Sequence, residues 1–293
     1  MRRPATPLLA LVAVTAIWGY TFVPVQKAVA AYPLFAFLAV RFAISTVAMA
    51  PFAWGSLRAL PRGGWAAGLG AGTLVALAYG LQTAGLELTT VTSTGFITGL
   101  YVVFTPLLAL AAFRTPVPAT VWVGVVLSLA GLLLLSGAPG GSWVGNLLVL
   151  GNAVAQSLQI VAMERFAPRY DAVALTILQM GVACVAFVAI AVAAGQVESP
   201  PDGRTWYALV VTGVFAGALG YLIATWVQSR TTAARAALVF TLEAPFAAFF
   251  GVLLLSESLG WAGTLGCAVM LCGIVLAEPA AASALRRLVP ARS

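Results

Sequence analysis

Ten stretches of about 20 apolar residues follow one another along the 293-residue chain, separated by short breaks. At 1.5 Å per residue, each is long enough to cross the hydrocarbon core of a bilayer as a helix. The stretches are expected at 7–27, 34–54, 65–86, 91–112, 119–137, 144–163, 172–194, 205–227, 235–255 and 260–279. The breaks carry turn and charge signals, among them Ala31-Tyr32-Pro33, Arg58 to Gly64, Thr115 to Pro118, Gly137 to Ser142, Ala167 to Asp171 and Glu198 to Gly203. None is long enough for a separate extramembrane domain. The first stretch is too long for a cleavable signal, contains Trp18 and Pro24, and ends without a small-x-small site.

Composition closes off the alternatives. Hydrophobic residues make up 62% and charged ones 8%, with a mean hydropathy of +1.03, against about 45–50% and about 25% in soluble domains. Fifteen basic and 8 acidic side chains cannot hydrate such a surface. A soluble enzyme, a disordered chain and a nucleic-acid-binding domain are excluded, leaving an all-α polytopic membrane protein. The chain has no His, which removes imidazole metal ligands and proton relays. Cys184, Cys267 and Cys272 lie in apolar runs without ligand spacing and are expected to be small buried hydrophobes.

The net charge of +7 is distributed unevenly. With the N-terminus inside, 12 basic residues (Arg2, Arg3, Arg58, Arg62, Arg114, Arg165, Arg169, Arg230, Arg235, Arg286, Arg287, Arg292) fall on the inner side and 2 (Lys27, Arg204) outside. The positive-inside rule therefore predicts both termini in the cytoplasm. Glu87, Glu198, Asp202 and Glu257 fall outside, which agrees.

The two halves echo each other. Lys27 matches Arg165, and Tyr32-Pro33 matches Tyr170-Asp171, at an offset of 138; Thr92 to Pro106 overlies Thr231 to Pro245, and Trp122-x-Gly124 overlies Trp261-x-Gly263, at 139; Trp65 matches Trp206. A repeat of five spans has odd parity, so the second copy enters the membrane inverted. The expected units are 1–138 and 139–293, ten helices in two inverted five-helix repeats. This is a transporter architecture, with the site near mid-membrane between the halves.

Local motifs point the same way. Ile17-Trp18-Gly19-Tyr20-Thr21-Phe22-Val23 is followed by Lys27; Arg41-Phe42 lies in span 2; Ala84-Gly85-Leu86 precedes Thr92-Ser93-Thr94-Gly95-Phe96-Ile97; Phe104-Thr105-Pro106 and Leu242-Glu243-Ala244-Pro245 occupy spans 4 and 9; Ser256-Glu257-Ser258-Leu259 leads to Gly263. From about residue 8 to 278 the chain resembles the EamA-type transporters of the drug/metabolite transporter superfamily, with Ser256 where the family usually has Gly. Within it, the chain is similar to the YddG-type exporters of aromatic and other neutral amino acids. The resemblance implies a multi-pass transporter of the bacterial inner membrane, functional as a monomer, that exports small neutral metabolites by alternating access. A drug or nucleotide-sugar-like carrier is the alternative, ahead of a passive channel or a lipid-handling protein.

Charges at membrane depth nominate the site, because each needs a partner or a cavity. Glu243 lies eight residues past Arg235, about 12 Å into span 9, and can receive an ammonium group or a proton. Arg41 lies eight residues past Pro33 and reads as a structural charge, anchored by a carboxylate such as Glu87 or Glu257. Trp18, Tyr20, Tyr79, Gln82, Tyr101, Gln156, Gln159 and Tyr221 are the mid-span aromatic and amide candidates for the cavity wall. Pro106 and Pro245 are repeat-related helix interruptions, and with Gly95 and Gly99 they are candidate gating positions. Gly68/Gly72, Gly95/Gly99 and Gly213/Gly217 have the spacing of close helix contacts. Trp65, Trp122, Trp206 and Trp261 mark span starts as interfacial anchors. No phosphate-binding loop, nucleophile elbow or metal cluster is present in the sequence, so neither ATP drive, catalysis nor a cofactor is expected.

Overall fold

The computed structural model describes residues 5–89, 91–114, 117–136, 142–255 and 260–277. All regular structure among them is helical: α1 (Ala5–Val29), α2 (Leu34–Arg58), α3 (Arg62–Leu88), α4 (Val91–Gly99), α5 (Tyr101–Phe113), α6 (Ala119–Ser136), α7 (Trp143–Phe166), α8 (Ala172–Ala193), α9 (Gly203–Val210), a π-helical segment (Val211–Leu219), α10 (Gly220–Gln228), α11 (Ala233–Phe240), α12 (Glu243–Leu255) and α13 (Trp261–Ala277).

These combine into ten apolar rods. Eight are long enough to span a membrane outright; Ala119–Leu135 and Trp261–Ala277 are shorter but reach the lower end of spanning length. Turn chemistry sets the ends. Asp171 and Asp202 cap α8 and α9 by accepting from the Ala174 and Thr205 amides. Pro33 and Pro61 precede α2 and α3, where a missing N–H costs nothing. Arg114 stops α5 in the left-handed conformation, at φ 53°.

Three rods are composite. Span 4 breaks at Leu100 and span 9 at Thr241–Leu242. The prolines lie within the helices that follow, Pro106 inside α5 and Pro245 inside α12. The break in each span is therefore N-terminal to its proline. Span 8 carries a nine-residue π-helix at its centre, which the apolar pattern does not announce; such wide turns are rare and concentrate at functional sites.

Packing follows a two-fold plan. α2 packs on α8 and α6 on α13; α3 packs on α7 just as the span-8 helices pack on α1; α4 and α5 pack on α7 just as α11 and α12 pack on α1. Each contact is mapped onto another, or onto itself, by exchanging the halves, as an inverted repeat requires. Glycine permits the closest of these approaches. A Cβ at Gly131 would stand 2.6 Å from the Gly266 carbonyl oxygen, which fixes how near α6 and α13 lie. Gly68 and Gly72 meet α8, Gly213 and Gly217 meet α2, and Gly99 meets Leu132; Gly95 faces open space.

The exterior is apolar, as a bilayer demands. Phe52, Val185, Leu253 and Trp261 are exposed, and Trp65, Trp206 and Trp261 stand outward near span starts. Lipid contact also corrects the expectation for the cysteines. Cys184 and Cys267 are half-buried and Cys272 is exposed, since a small hydrophobe gains as little from the core as from lipid.

Candidate functional site

Trp18 sits at the crossing of α1 with the span-8 helices and α11. Its indole Nε1 donates to the Ala216 carbonyl, 3.0 Å away in the π-helical segment. The ring lies 5.6 Å from Tyr221 and 5.3 Å from Phe240, centroid to centroid. Gly220 makes room for it: a Cβ there would come within 2.9 Å of Nε1. The polar end of Trp18 is thus tied down while its face contributes to an aromatic wall.

Arg41 enters the same region from α2. It is 8% exposed, donates through Nη2 to the Tyr79 hydroxyl at 3.4 Å, and lies over the Tyr79 and Phe42 rings at 5.1 and 5.6 Å. Its Nε has no hydrogen-bond partner. Tyr79 in turn lies within electrostatic reach of Tyr221. Of the anchors expected for Arg41, Glu87 is exposed near the end of α3 and Glu257 lies outside the described residues. The guanidinium instead rests on aromatic faces, which hold a weakly hydrated cation well.

Glu243 is the first residue of α12, where the positive end of a helix favours a carboxylate. Tyr101, Tyr221 and Arg41 lie within electrostatic reach of it. Although flanked by these inner residues, it is half-buried rather than sealed. The structure brings Trp18, Tyr79, Tyr101, Tyr221, Arg41 and Glu243 into one neighbourhood.

The remaining candidates lie elsewhere. Gln82 donates to the Thr98 hydroxyl at 3.1 Å, which Asn152 also engages at 2.9 Å, forming a polar knot of α3, α4 and α7. Gln156 lies one turn from Asn152 and is half-buried. Gln159 is buried and donates to Gln179 of α8 at 2.7 Å, a closed pair between helices. Tyr20 pairs with Tyr207 at 2.6 Å and packs edge-on against Phe250. With Ala16, Ile17, Val211 and Phe215 it lines a cavity of about 340 Å³ separate from the charged region.

The helices pack differently at the two ends of the described residues. On the side where α1 begins, α11 packs on α1, α5, α6 and α7 around Leu11, Ala109, Ile160 and Ala236. On the far side, α4 packs on α3, α6 and α7 while α12 packs on α1. In spans 4 and 9, α5 and α11 pack on each other, whereas among the described residues α4 and α12 pack on different partners.

A sequence profile of the EamA-like transporter family matches twice, over residues 5–137 and 143–277, and so covers both sets of helices. The chain belongs to the EamA-like transporter family. An uncharacterized transporter from Archaeoglobus fulgidus is 29% identical over 268 residues, covering 92% of this chain and 84% of that protein. A solved crystal structure superposes with a TM-score of 0.80 across 98% of this chain and 99% of its own, at 20% identity, which shows a shared fold.

Seen as an EamA-like transporter, the chain explains which neighbours its sequence alone left out. Asn152, Thr98, Gln179 and Phe240 are all polar or aromatic residues in mid-span. The repeat offset could have nominated two of them: Gln179 is the counterpart of Arg41 at 138, and Phe240 that of Tyr101 at 139. Glu243 has Phe104 as its counterpart. The two-fold fold therefore carries a one-sided charge.

Proposed function

We propose that this EamA-like transporter is a secondary carrier of small neutral metabolites that exports amino acids with aromatic or hydrophobic side chains across the inner membrane. One observation carries the reading. A guanidinium (Arg41) and a carboxylate (Glu243) from opposite halves lie within electrostatic reach of each other, in a neighbourhood that includes Trp18, Tyr79, Tyr101 and Tyr221. A zwitterion offers a carboxylate to the first and an ammonium to the second, and a ring or aliphatic chain fits the aromatic wall. A phosphorylated substrate would need several buried cations, and Arg41 alone meets that description among the cavity residues.

The uneven packing supports alternating access, with this conformation closed toward the end where α1 begins. The charge count of 12 basic residues against 2 supports placing that end in the cytoplasm. One chain supplies both halves of the cavity, so a monomer suffices.

Counterflow in proteoliposomes tests the proposal, using a panel of radiolabelled amino acids with and without a pH gradient. Saturable exchange of aromatic or aliphatic amino acids is expected, and Glu243→Gln should abolish or strongly reduce it. Exchange of no amino acid refutes the substrate assignment, and non-saturating flux would make the protein a channel. Unchanged transport by Glu243→Gln removes the carboxylate from the site.

A further inference from the structure

The gate on the α1-start side contains a contact that ordinary helix packing does not require. α11 is only eight residues long and begins at Ala233. Ala233 is 1% exposed, so its backbone N–H needs a partner within the protein. Thr232 occupies the N-cap position with extended backbone, yet its side chain makes no capping hydrogen bond. The partner comes instead from 69 residues away: the Glu164 carboxylate, near the end of α7, accepts from the Ala233 amide at 3.1 Å through Oε2. The carboxylate also faces the positive end of α11, whose first turn carries the unfavourably placed cation Arg235.

A second observation bears on this end. The amide nitrogen of Gln228, the last residue of α10, is buried without a hydrogen-bond partner, and water entering an opened gate would satisfy it. The Thr232 side chain makes no cap while Glu164 does, and from the N-cap position it can cap α11 locally once α7 withdraws.

We infer that Glu164 is the latch of this gate: its carboxylate caps α11 from α7 while the α1-start side is shut and releases it when that side opens. The inference rests on the alternating-access reading, and Glu164 acts as a positioning residue that never meets the substrate.

The test uses full-length protein lacking Cys184, Cys267 and Cys272, with a reporter cysteine at Ala237 of α11 or Ala183 of α8, both fully buried. Labelling of purified protein by a charged maleimide is followed over time. Glu164→Ala should accelerate labelling at Ala237→Cys about fivefold, the scale of a lost helix cap, and leave Ala183→Cys protected. Glu164→Gln keeps an acceptor oxygen and should fall between. Equal rates in wild type and both variants overturn the latch. If Glu164→Ala exposes both reporters, the protein has unfolded and Glu164→Gln decides: faster labelling at Ala237→Cys alone upholds the latch, and any other pattern overturns it. The readout needs no substrate. A labelling shift without amino-acid exchange keeps the latch and rejects the substrate assignment.

Discussion

Adding one methyl group at Gly220 probes how Trp18 is held. In Gly220→Ala the new Cβ would sit 2.9 Å from Trp18 Nε1 and 3.1 Å from the Phe215 carbonyl. The carbonyl belongs to the helix and yields little, so the indole must move, lengthening its 3.0 Å bond to the Ala216 carbonyl. Overpacking of this kind costs about 1–3 kcal/mol. Trp18→Phe removes the same nitrogen without adding bulk. It forfeits the hydrogen bond, about 1 kcal/mol, plus some ring contact with Tyr221 and Phe240. In the double variant the methyl group no longer meets Nε1, so its penalty should shrink. We expect a favourable coupling of about 0.5–2 kcal/mol between the two substitutions, as for residues in direct contact. Unfolding of the four proteins by SDS titration in mixed micelles, followed by tryptophan-independent circular dichroism, measures it. Strictly additive effects would show that Gly220 does not exist to seat Trp18 and would refute the argument.

Other substitutions report on separate contacts. Arg41→Lys should keep the charge but lose the planar stacking on Tyr79 and Phe42, raising KM for any transported zwitterion about tenfold with little change in unfolding; an unaltered KM would take Arg41 out of the site. Gln159→Leu should destabilise by about 1–3 kcal/mol, because it strands the buried Gln179 carbonyl. Adding Gln179→Leu should recover part of that loss in the same SDS titration, and failure to recover would mean that the pair is not coupled. The amides at Thr205 and Arg204, with the Arg204 charge, hold the Asp202 carboxyl below the usual carboxylate value. Its contribution is therefore fully present above the usual value and fades as pH falls through the lowered one. Asp202→Asn should flatten that part of the stability curve below about pH 4; identical curves would reject the cap.

The charges show where legibility ended. Glu243 and Arg41 stood out in the sequence because charge inside an apolar span is costly and therefore placed for a reason. Their mutual proximity did not follow, since they lie 202 residues apart in opposite repeats. Arg41 looked able to reach a carboxylate at the membrane surface and rests on Tyr79 and Phe42 instead. Gln159 and Gln156 share a helix face by spacing, yet one is sealed against Gln179 and the other is half-buried. Neighbouring helices decide such differences, and a single helix cannot encode them. The π-helix is invisible in the sequence for a related reason: an apolar span reads the same at 3.6 residues per turn or wider.

What the sequence determined by itself was the solvent and the plan. Ten apolar stretches with so few charges have no stable form outside a bilayer, and an odd-numbered repeat must invert. What the tertiary structure alone decided was the pairing of spans, the gathering of aromatic residues from several helices near one carboxylate, and which half of span 4 meets which half of span 9. Those depend on where glycines let backbones meet and where buried amides find acceptors. Both are relations between helices, and the bilayer cannot choose among them.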